Sequence, residues 1–226
     1  MARKRMHRRE RREAILQAAV PLFAEKGFHG VKTREIAHAA GVSEALVFQH
    51  FASKEALFEA IQAYVHGGGE HPEAIAGFLS LPPSTEKLMV GLHLMLTHLA
   101  EDATAGEKAM PRLLLQSLLD DGELARLHLG RFERTLWPAM VDALRAAREA
   151  GDAADVGAPD LLTVWFFHHL GFAVGVLKLP GNTIFYGQVP SQLVKQMARF
   201  ILRGMGIREE VIAAKYNPST LLQLLA

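Results

Sequence analysis

Apolar side chains recur at helical spacing along most of this 226-residue chain, and no stretch of any length alternates apolar and polar positions as a half-buried strand does. This period of about 3.6 residues predicts an all-α protein. After Pro83 the pattern predicts a run of longer helices, which lie at 88–99, 110–119, 124–150, 161–179, 193–202 and 211–224.

Two short helices joined by a glycine corner are predicted before residue 52. Thr33 is placed to cap the first of them, and Gly41 ends it. Ser43 can cap the second, and Ser53 can cap a third that follows closely. Two short helices with a tight glycine turn between them form a helix-turn-helix.

The second helix of this pair has a face suited to a DNA groove. Val47 and Phe51 lie four residues apart, so they share a face and are predicted to be buried. Leu46 suits contact with a thymine methyl group, and Gln49 can reach N6 and N7 of adenine in the major groove. The positions that point away from the buried face are small, polar or singly apolar: Glu44, Ala45, Leu46, Gln49 and His50.

The order of residues from 33 to 58, TREIAHAAGVSEALVFQHFASKEALF, resembles the DNA-binding domain of the TetR family of repressors. The resemblance runs from about Arg12 to Tyr64, and its most specific parts are the AGVS corner and the HF-x-SKE-x-L run. It implies an N-terminal three-helix helix-turn-helix domain followed by a larger helical-bundle domain for regulation and dimerisation. It also implies phosphate contacts from Thr33, His50 and Lys54.

The chain departs from the family pattern in the recognition helix. Where the family usually has Gly-Thr-Leu-Tyr, this chain has Ala45, Leu46, Val47 and Phe48. A hydroxyl that could meet a phosphate oxygen is therefore missing at Phe48, and a threonine hydroxyl is missing at Leu46. Phe48 stays among the predicted DNA-contacting residues, while the bases that are read stay open.

Charge is concentrated at the amino terminus. Residues 1–12 hold seven Lys or Arg against one Glu, or +6, so a net charge of +1 leaves −5 for the rest of the chain. An arm of this kind releases counterions when it binds phosphates and can place an arginine in a narrow minor groove. The alternative is a solvated tail without specific contacts.

The segment from His66 to Ser84, HGGGEHPEAIAGFLSLPPS, contains three consecutive glycines and a Pro-Pro pair, which interrupt the helical pattern. We therefore divide the chain into a basic arm at 1–12, a DNA-binding domain at 13–65, a linker at 66–83, and a ligand-binding and dimerisation domain at 84–226. The linker is either a hinge that lets the DNA-binding domains change their separation or an inert connector.

The most apolar segment, 161–179, is about long enough to cross a membrane. His168 and His169 at its centre argue against a span and favour a helix buried on all faces in a protein without membrane contact. Gly171 and Gly175 form a flat strip that another backbone can approach. With Leu193 and Met197 of the next helix, they are predicted to form a homodimer interface, as the resemblance implies.

Aromatic, histidine and methionine side chains recur in the second domain and are candidates to line an apolar pocket, although such residues are more often plain core. A small apolar or amphipathic effector is the predicted ligand. The candidate lining residues are Met89, His93, Trp137, Met140, Trp165, Phe166 and His169.

Several kinds of chemistry lack support in the sequence. The chain has no cysteine, so disulfides and thiolate chemistry are excluded, in keeping with a reducing cytoplasm. The histidine spacings do not match a metal site, and no cofactor is implied. The prediction is a dimeric, non-enzymatic regulator that binds double-stranded DNA and is released by its effector. The alternatives are a DNA-associated structural protein without an effector and a helical-bundle hydrolase.

Overall fold

The structure, a computed structural model, describes residues 7–67, 72–100, 109–177, 184 and 186–225. Over these residues it is helical, with no strand beyond one isolated antiparallel bridge between Ala153 and Ile207. The prediction of an all-α protein is confirmed. The helices are α1 (Arg8–Gly30), α2 (Thr33–Ala39), α3 (Glu44–His50), α4 (Lys54–Gly67), α5 (Pro72–Ser80), α6 (Thr85–Ala100), α7 (Ala109–Leu119), α8 (Glu123–Glu149), α9 (Asp160–Leu177), α10 (Pro190–Gly204), α11 (Glu209–Lys215) and α12 (Pro218–Gln223).

Contacts between Cα atoms divide the chain into two compact units. The first consists of residues 1–71 and 104–128, and the second of residues 72–103 and 129–226. The first unit therefore combines α1 to α4 with α7, a helix that the sequence assigned to the second domain. Helix α5 lies inside the segment that the sequence assigned to the linker.

Aromatic packing organises the first unit. The Phe23 and Phe58 rings are 5.8 Å apart and nearly perpendicular, and Phe28 lies 5.9 Å from Phe23 and 5.8 Å from Phe58. Gly27 has φ +68°, in a region that side chains disfavour, and this residue interrupts the helical path of α1 so that Phe28 can turn back onto the other two rings. The same unit buries Ile36, Val47 and Leu57 completely or nearly so.

Side-chain caps fix the starts of the short helices. The amide of Leu46 donates to Ser43 Oγ at 3.2 Å and the amide of Ala56 donates to Ser53 Oγ at 3.1 Å, so both serine caps are confirmed. The predicted cap at Thr33 is wrong. Thr33 is the first residue of α2, and the cap position belongs to Lys32, whose amide donates to Glu35 Oε2 at 2.9 Å.

In the second unit, α6 packs against α5, α9, α10 and α12. Its buried face presents Leu88, Leu92 and Leu96, all fully buried. A polar network ties the start of α6 to the later helices, because Asp152 accepts hydrogen bonds from Thr85 Oγ1 at 2.6 Å and Lys215 Nζ at 2.8 Å. The core of this unit is therefore arranged around α6.

Helix α9 is buried on one side only, so the prediction that it is buried on all faces is wrong. It is the one helix among the described residues whose length and hydropathy would suit a membrane span, and 39% of that window is buried. Thr163, Val164, Phe167 and His168 face the interior. An exposed apolar row, which we call the α9 strip, runs along the other side and consists of Leu162, Phe166, Leu170 and Leu177.

Gly171 and Gly175 belong to the interior of the second unit, which corrects their predicted place in a dimer interface. A Cβ atom at Gly171 would lie 2.9 Å from Leu99 Cδ1, and one at Gly175 would lie 3.3 Å from the Leu99 carbonyl oxygen. Their lack of side chains lets α9 approach α6 closely. The flat strip is thus occupied by this chain's own helix.

Candidate nucleic-acid interface and regulatory core

Helix α3 turns one side chain inward and the rest outward. Val47 is 1% exposed, and Phe51, at the end of the helix, is 4% exposed, as their four-residue spacing predicted. Phe48 is 47% exposed, so it lies on the outer side with the polar positions. Of the other predicted DNA-contacting residues of α3, Glu44, Ala45 and Gln49 are exposed, and Leu46 and His50 are partly exposed.

The start of α1 and the outer side of α3 line a common depression. Its volume is about 390 Å³, and it is lined by Arg8, Arg11, Leu46, Gln49 and His50. Burial lowers the pKa of His50, and the positive charges of Arg8, Arg11 and Arg12 lower it further. The depression is therefore electropositive and can accommodate a phosphate or the edge of a base.

A cation on an aromatic ring links α1 to the end of α3. The guanidinium carbon of Arg12 lies 4.9 Å from the centroid of the Phe51 ring, within the range of a cation–π contact. Because Phe51 directly follows α3, this contact holds the basic start of α1 beside the recognition helix. The sequence singled out the arginines for their charge alone and missed this packing role.

Lys54, a predicted phosphate ligand, has its own aromatic surroundings. Its Nζ lies 4.6 Å from the centroid of the Phe28 ring and 6.0 Å from that of Phe23. Burial lowers its pKa, although the side chain is still partly exposed. Thr33, the third predicted phosphate ligand, is partly exposed at the first position of α2.

Only part of the predicted ligand-binding set comes together. Met89, Trp137 and Met140 belong to the buried core. Trp165 meets Trp137 edge to face, with ring centroids 5.2 Å apart, and His169 stacks on Trp165 at 5.4 Å.

Two predicted lining residues lie elsewhere. Phe166 is 58% exposed and belongs to the α9 strip, so its predicted place in an interior pocket is wrong. His93 pairs with Tyr216, a residue that the sequence analysis did not single out, and its Nδ1 lies 3.0 Å from the Tyr216 hydroxyl. Burial lowers the pKa of His93 and raises that of Tyr216 to about 12, so both groups are uncharged at neutral pH.

His168 is absent from the ligand-binding set predicted from the sequence. It is 6% exposed, and burial lowers its pKa to about 4, with a further contribution from His169. The sequence signal that could have singled out His168 was its position inside the most apolar segment of the chain, because a histidine buried among apolar residues is held uncharged. The remaining predicted dimer residues, Leu193 and Met197, are partly buried on α10.

One group of candidate metal-binding side chains occurs within the described residues. His29, Asp120 and Asp121 are exposed, and one potential ligand atom from each lies within 4.8 Å of the others. His29 Nε2 is 2.9 Å from Asp121 Oδ2, and this contact joins the end of α1 to the turn between α7 and α8. The contact between His29 and Asp121 therefore links two segments of the first unit.

Residues 15–61 match the model of a protein family described as "Bacterial regulatory proteins, tetR family". Among curated proteins, the transcriptional regulatory protein RaaS of Mycobacterium tuberculosis is 33% identical over 145 residues, which is 64% of this chain and 58% of RaaS. The regulator RutR of Escherichia coli is 45% identical over 51 residues, or 23% of this chain and 24% of RutR. The transcriptional activator FasR of Mycolicibacterium smegmatis is 44% identical over 57 residues, or 25% of this chain and 26% of FasR.

These matched segments span less than two thirds of the relatives, and the two shorter ones cover about a quarter. Solved structures extend the likeness of fold. A tetR-family regulatory protein from Rhodococcus RHA1 superposes with a TM-score of 0.63 at 23% identity, over 88% of this chain and 99% of the other. The hemolysin II regulator HlyIIR superposes with a TM-score of 0.56 at 16% identity, over 89% of this chain and all of the other. The three curated relatives named here are all called regulators or activators of transcription, and none is called an enzyme.

Proposed function

We propose that this chain, whose residues 15–61 match the model of the tetR family of bacterial regulatory proteins, is a dimeric, ligand-responsive regulator of transcription that acts as a repressor in the cytoplasm. The observation that carries this proposal is the outer side of α3. Leu46 and Gln49 are accessible there, and Arg8 and Arg11 line the same depression. An accessible helix beside fixed cations suits a major groove flanked by phosphates.

In the proposed complex α3 lies in the major groove. Gln49 reads adenine through N6 and N7, Leu46 contacts a thymine methyl group, and Glu44, Ala45 and Phe48 pack along the groove. Thr33, His50 and Lys54 contact phosphates. The Lys54 ammonium can do so while its inner side stays on the Phe28 ring, because a cation–π contact leaves the outward-facing N–H groups available.

A second copy of the chain is the proposed partner of the α9 strip. Its four apolar side chains are 37% to 58% exposed on a helix whose other side is already packed against α6. Phe200 on α10 is 67% exposed and Leu193 is partly exposed, so α10 offers further apolar surface. Two-fold pairing through such helices would present two α3 helices to a palindromic site, with major grooves roughly 34–36 Å apart.

The second unit is the proposed effector-binding domain. A small apolar or amphipathic molecule that binds one arrangement of the dimer better than another shifts the population away from the DNA-binding arrangement. In this proposal the domain limits are 13–65 for DNA binding and 84–226 for regulation, with residues 109–128 associated with the former.

Selection from a pool of random-sequence DNA duplexes tests the proposal. We expect the full-length protein to enrich palindromic sites and to bind them as one dimer per site. Gln49→Ala should remove the preference at one symmetric pair of positions. Enrichment of no sequence, with binding that only salt abolishes, would favour the alternative of a DNA-associated structural protein. The hydrolase alternative has no support among the named relatives.

A further inference from the structure

Seven aromatic rings pack together inside the second unit, which we call the aromatic cluster. Its centre is Trp137, which stacks on Phe132 at 5.3 Å and meets His168 edge to face at 5.3 Å. Helix α8 contributes Phe132 and Trp137, and α9 contributes the other five rings. The members are Phe132, Trp137, Trp165, Phe167, His168, His169 and Phe172.

Among the residues that the structure describes, two polar atoms of this cluster are buried without a hydrogen-bond partner. They are Nε1 of Trp137 and Nδ1 of His168, on side chains that are 2% and 6% exposed. A buried polar group normally finds a partner, since leaving one unpaired costs about 1–3 kcal/mol. Here the two groups belong to neighbouring rings, whose centroids lie 5.3 Å apart.

The chemistry of the two nitrogens specifies the complementary group. An indole N–H can only donate, so Trp137 requires an acceptor such as an oxygen. His168 has a pKa of about 4 because it is buried, so its imidazole is neutral at neutral pH and can accept a hydrogen bond at one nitrogen. A hydroxyl on an aromatic ring meets both needs, because its oxygen accepts from Trp137 and its hydrogen is donated to His168.

We propose that the aromatic cluster binds a flat aromatic molecule with an uncharged hydroxyl group, which Trp137 and His168 hold between them. The inference rests on the proposed function in treating this molecule as the effector. The surrounding rings supply an apolar, stacking environment that favours a planar ligand and disfavours a charged one. Trp165 is partly buried and His169 is exposed, so displacement of these two outer rings gives the ligand its way in from solvent.

The chain supplies its own reporters for a binding test. Its two tryptophans, Trp137 and Trp165, both belong to the aromatic cluster, so quenching of intrinsic fluorescence reports a ligand at this site without DNA. The probes are 1-naphthol, naphthalene and 1-methoxynaphthalene, which share a ring system and differ in hydrogen bonding. We expect 1-naphthol to bind about tenfold more tightly than naphthalene, with 1-methoxynaphthalene, which accepts but cannot donate, between them.

Two variants test whether the preference for 1-naphthol depends on the N–H group of Trp137. Trp137→Phe keeps an aromatic ring and removes the donor, so it should reduce the advantage of 1-naphthol over naphthalene to less than about threefold. Leu222→Ala, at an exposed position of α12 outside the aromatic cluster, is the control and should keep the advantage. In ¹⁵N spectra, 1-naphthol but not naphthalene should shift the indole N–H signal that Trp137→Phe removes.

Equal affinity for 1-naphthol and naphthalene in the unmodified protein would overturn the inference, as would binding of neither probe up to its solubility limit. This comparison needs no variant, so it decides the question even if Trp137→Phe does not fold. DNA release is measured separately, by anisotropy of a labelled selected duplex. Preferential binding of 1-naphthol without DNA release would support the site and contradict the effector role, whereas sequence-specific DNA binding without any naphthol binding would support the regulator and overturn the site.

Discussion

Helices α3 and α9 each bury one side and expose the other, but their exposed sides differ in kind. The outer side of α3 carries Gln49 and His50 beside the arginines of α1. The outer side of α9 carries the apolar α9 strip, of which Phe166 is the most exposed member at 58%. Water solvates the first surface well and the second poorly, so we expect the first to meet a polyanion and the second to meet another apolar surface.

The strongest test of this contrast puts charge on the α9 strip. In the double variant Phe166→Glu, Leu170→Glu, the proposed dimer would bury unpaired carboxylates, which costs several kcal/mol. We expect the dimer dissociation constant to rise by about a thousandfold or more, and light scattering at micromolar concentration should show a monomer. Leu222→Glu, at a residue on α12 that is 42% exposed, is the control and should stay dimeric. A double variant that remains a dimer would contradict the proposed role of the strip.

The buried side of α9 leads to a prediction about how the free energy of unfolding depends on pH. The folded-state pKa of His168 is about 4, against an ordinary value of 6.5. Above pH 6.5 the residue is neutral in both states, and its contribution to stability is complete. As the pH falls from 6.5 toward 4 the unfolded state takes up a proton first, so the free energy of unfolding should fall by up to about 3 kcal/mol.

Urea unfolding followed by tryptophan fluorescence measures this loss in the second unit, which contains both tryptophans. His168→Phe should flatten the dependence on pH between 6.5 and 4. Leu222→Ala, at an exposed and non-titrating position of α12, is the comparison variant and should keep the dependence of the unmodified protein. An equally steep decline in the His168→Phe variant would assign the loss to other groups.

On the α3 side, the test separates base contacts from phosphate contacts. Gln49→Ala should lose about 1–3 kcal/mol of discrimination at one symmetric pair of positions and bind other sequences as before. Lys54→Ala should weaken binding to every sequence alike and reduce the slope of affinity against salt by about one. Binding isotherms on the selected duplex and on single-base variants measure both. Equal effects from the two variants would show that the assigned roles are wrong.

The contrast between α3 and α9 also explains what the sequence could predict. The caps at Ser43 and Ser53 and the burial of Val47 follow from spacing within a few residues, where local rules suffice. In the aromatic cluster Trp137 packs against His168, which is 31 positions away, and no pattern in either segment indicates that these two rings are in contact. The sequence also misplaced Gly171 and Gly175, because the absence of a side chain indicates close approach without indicating which helix approaches.

The smallest expected effect concerns the cap that starts α3. The Leu46 amide donates to Ser43 Oγ at 3.2 Å, so Ser43→Ala leaves this amide without its side-chain partner and should cost about 1 kcal/mol of local stability. Hydrogen exchange at the Leu46 amide should then accelerate about fivefold, while Ser43→Asp, which keeps an acceptor at the cap, should exchange nearly as the unmodified protein does.

Ser53→Ala is the matched variant for α4, where the Ala56 amide donates to Ser53 Oγ at 3.1 Å. It should accelerate exchange at Ala56 and leave Leu46 unchanged if each cap acts on its own helix alone. Because Leu46 and Gln49 are presented on α3, a frayed start would lower operator affinity without touching a contact residue. Unchanged exchange at Leu46 in Ser43→Ala would mean that the packing of Val47 and Phe51, rather than the cap, holds the start of the recognition helix.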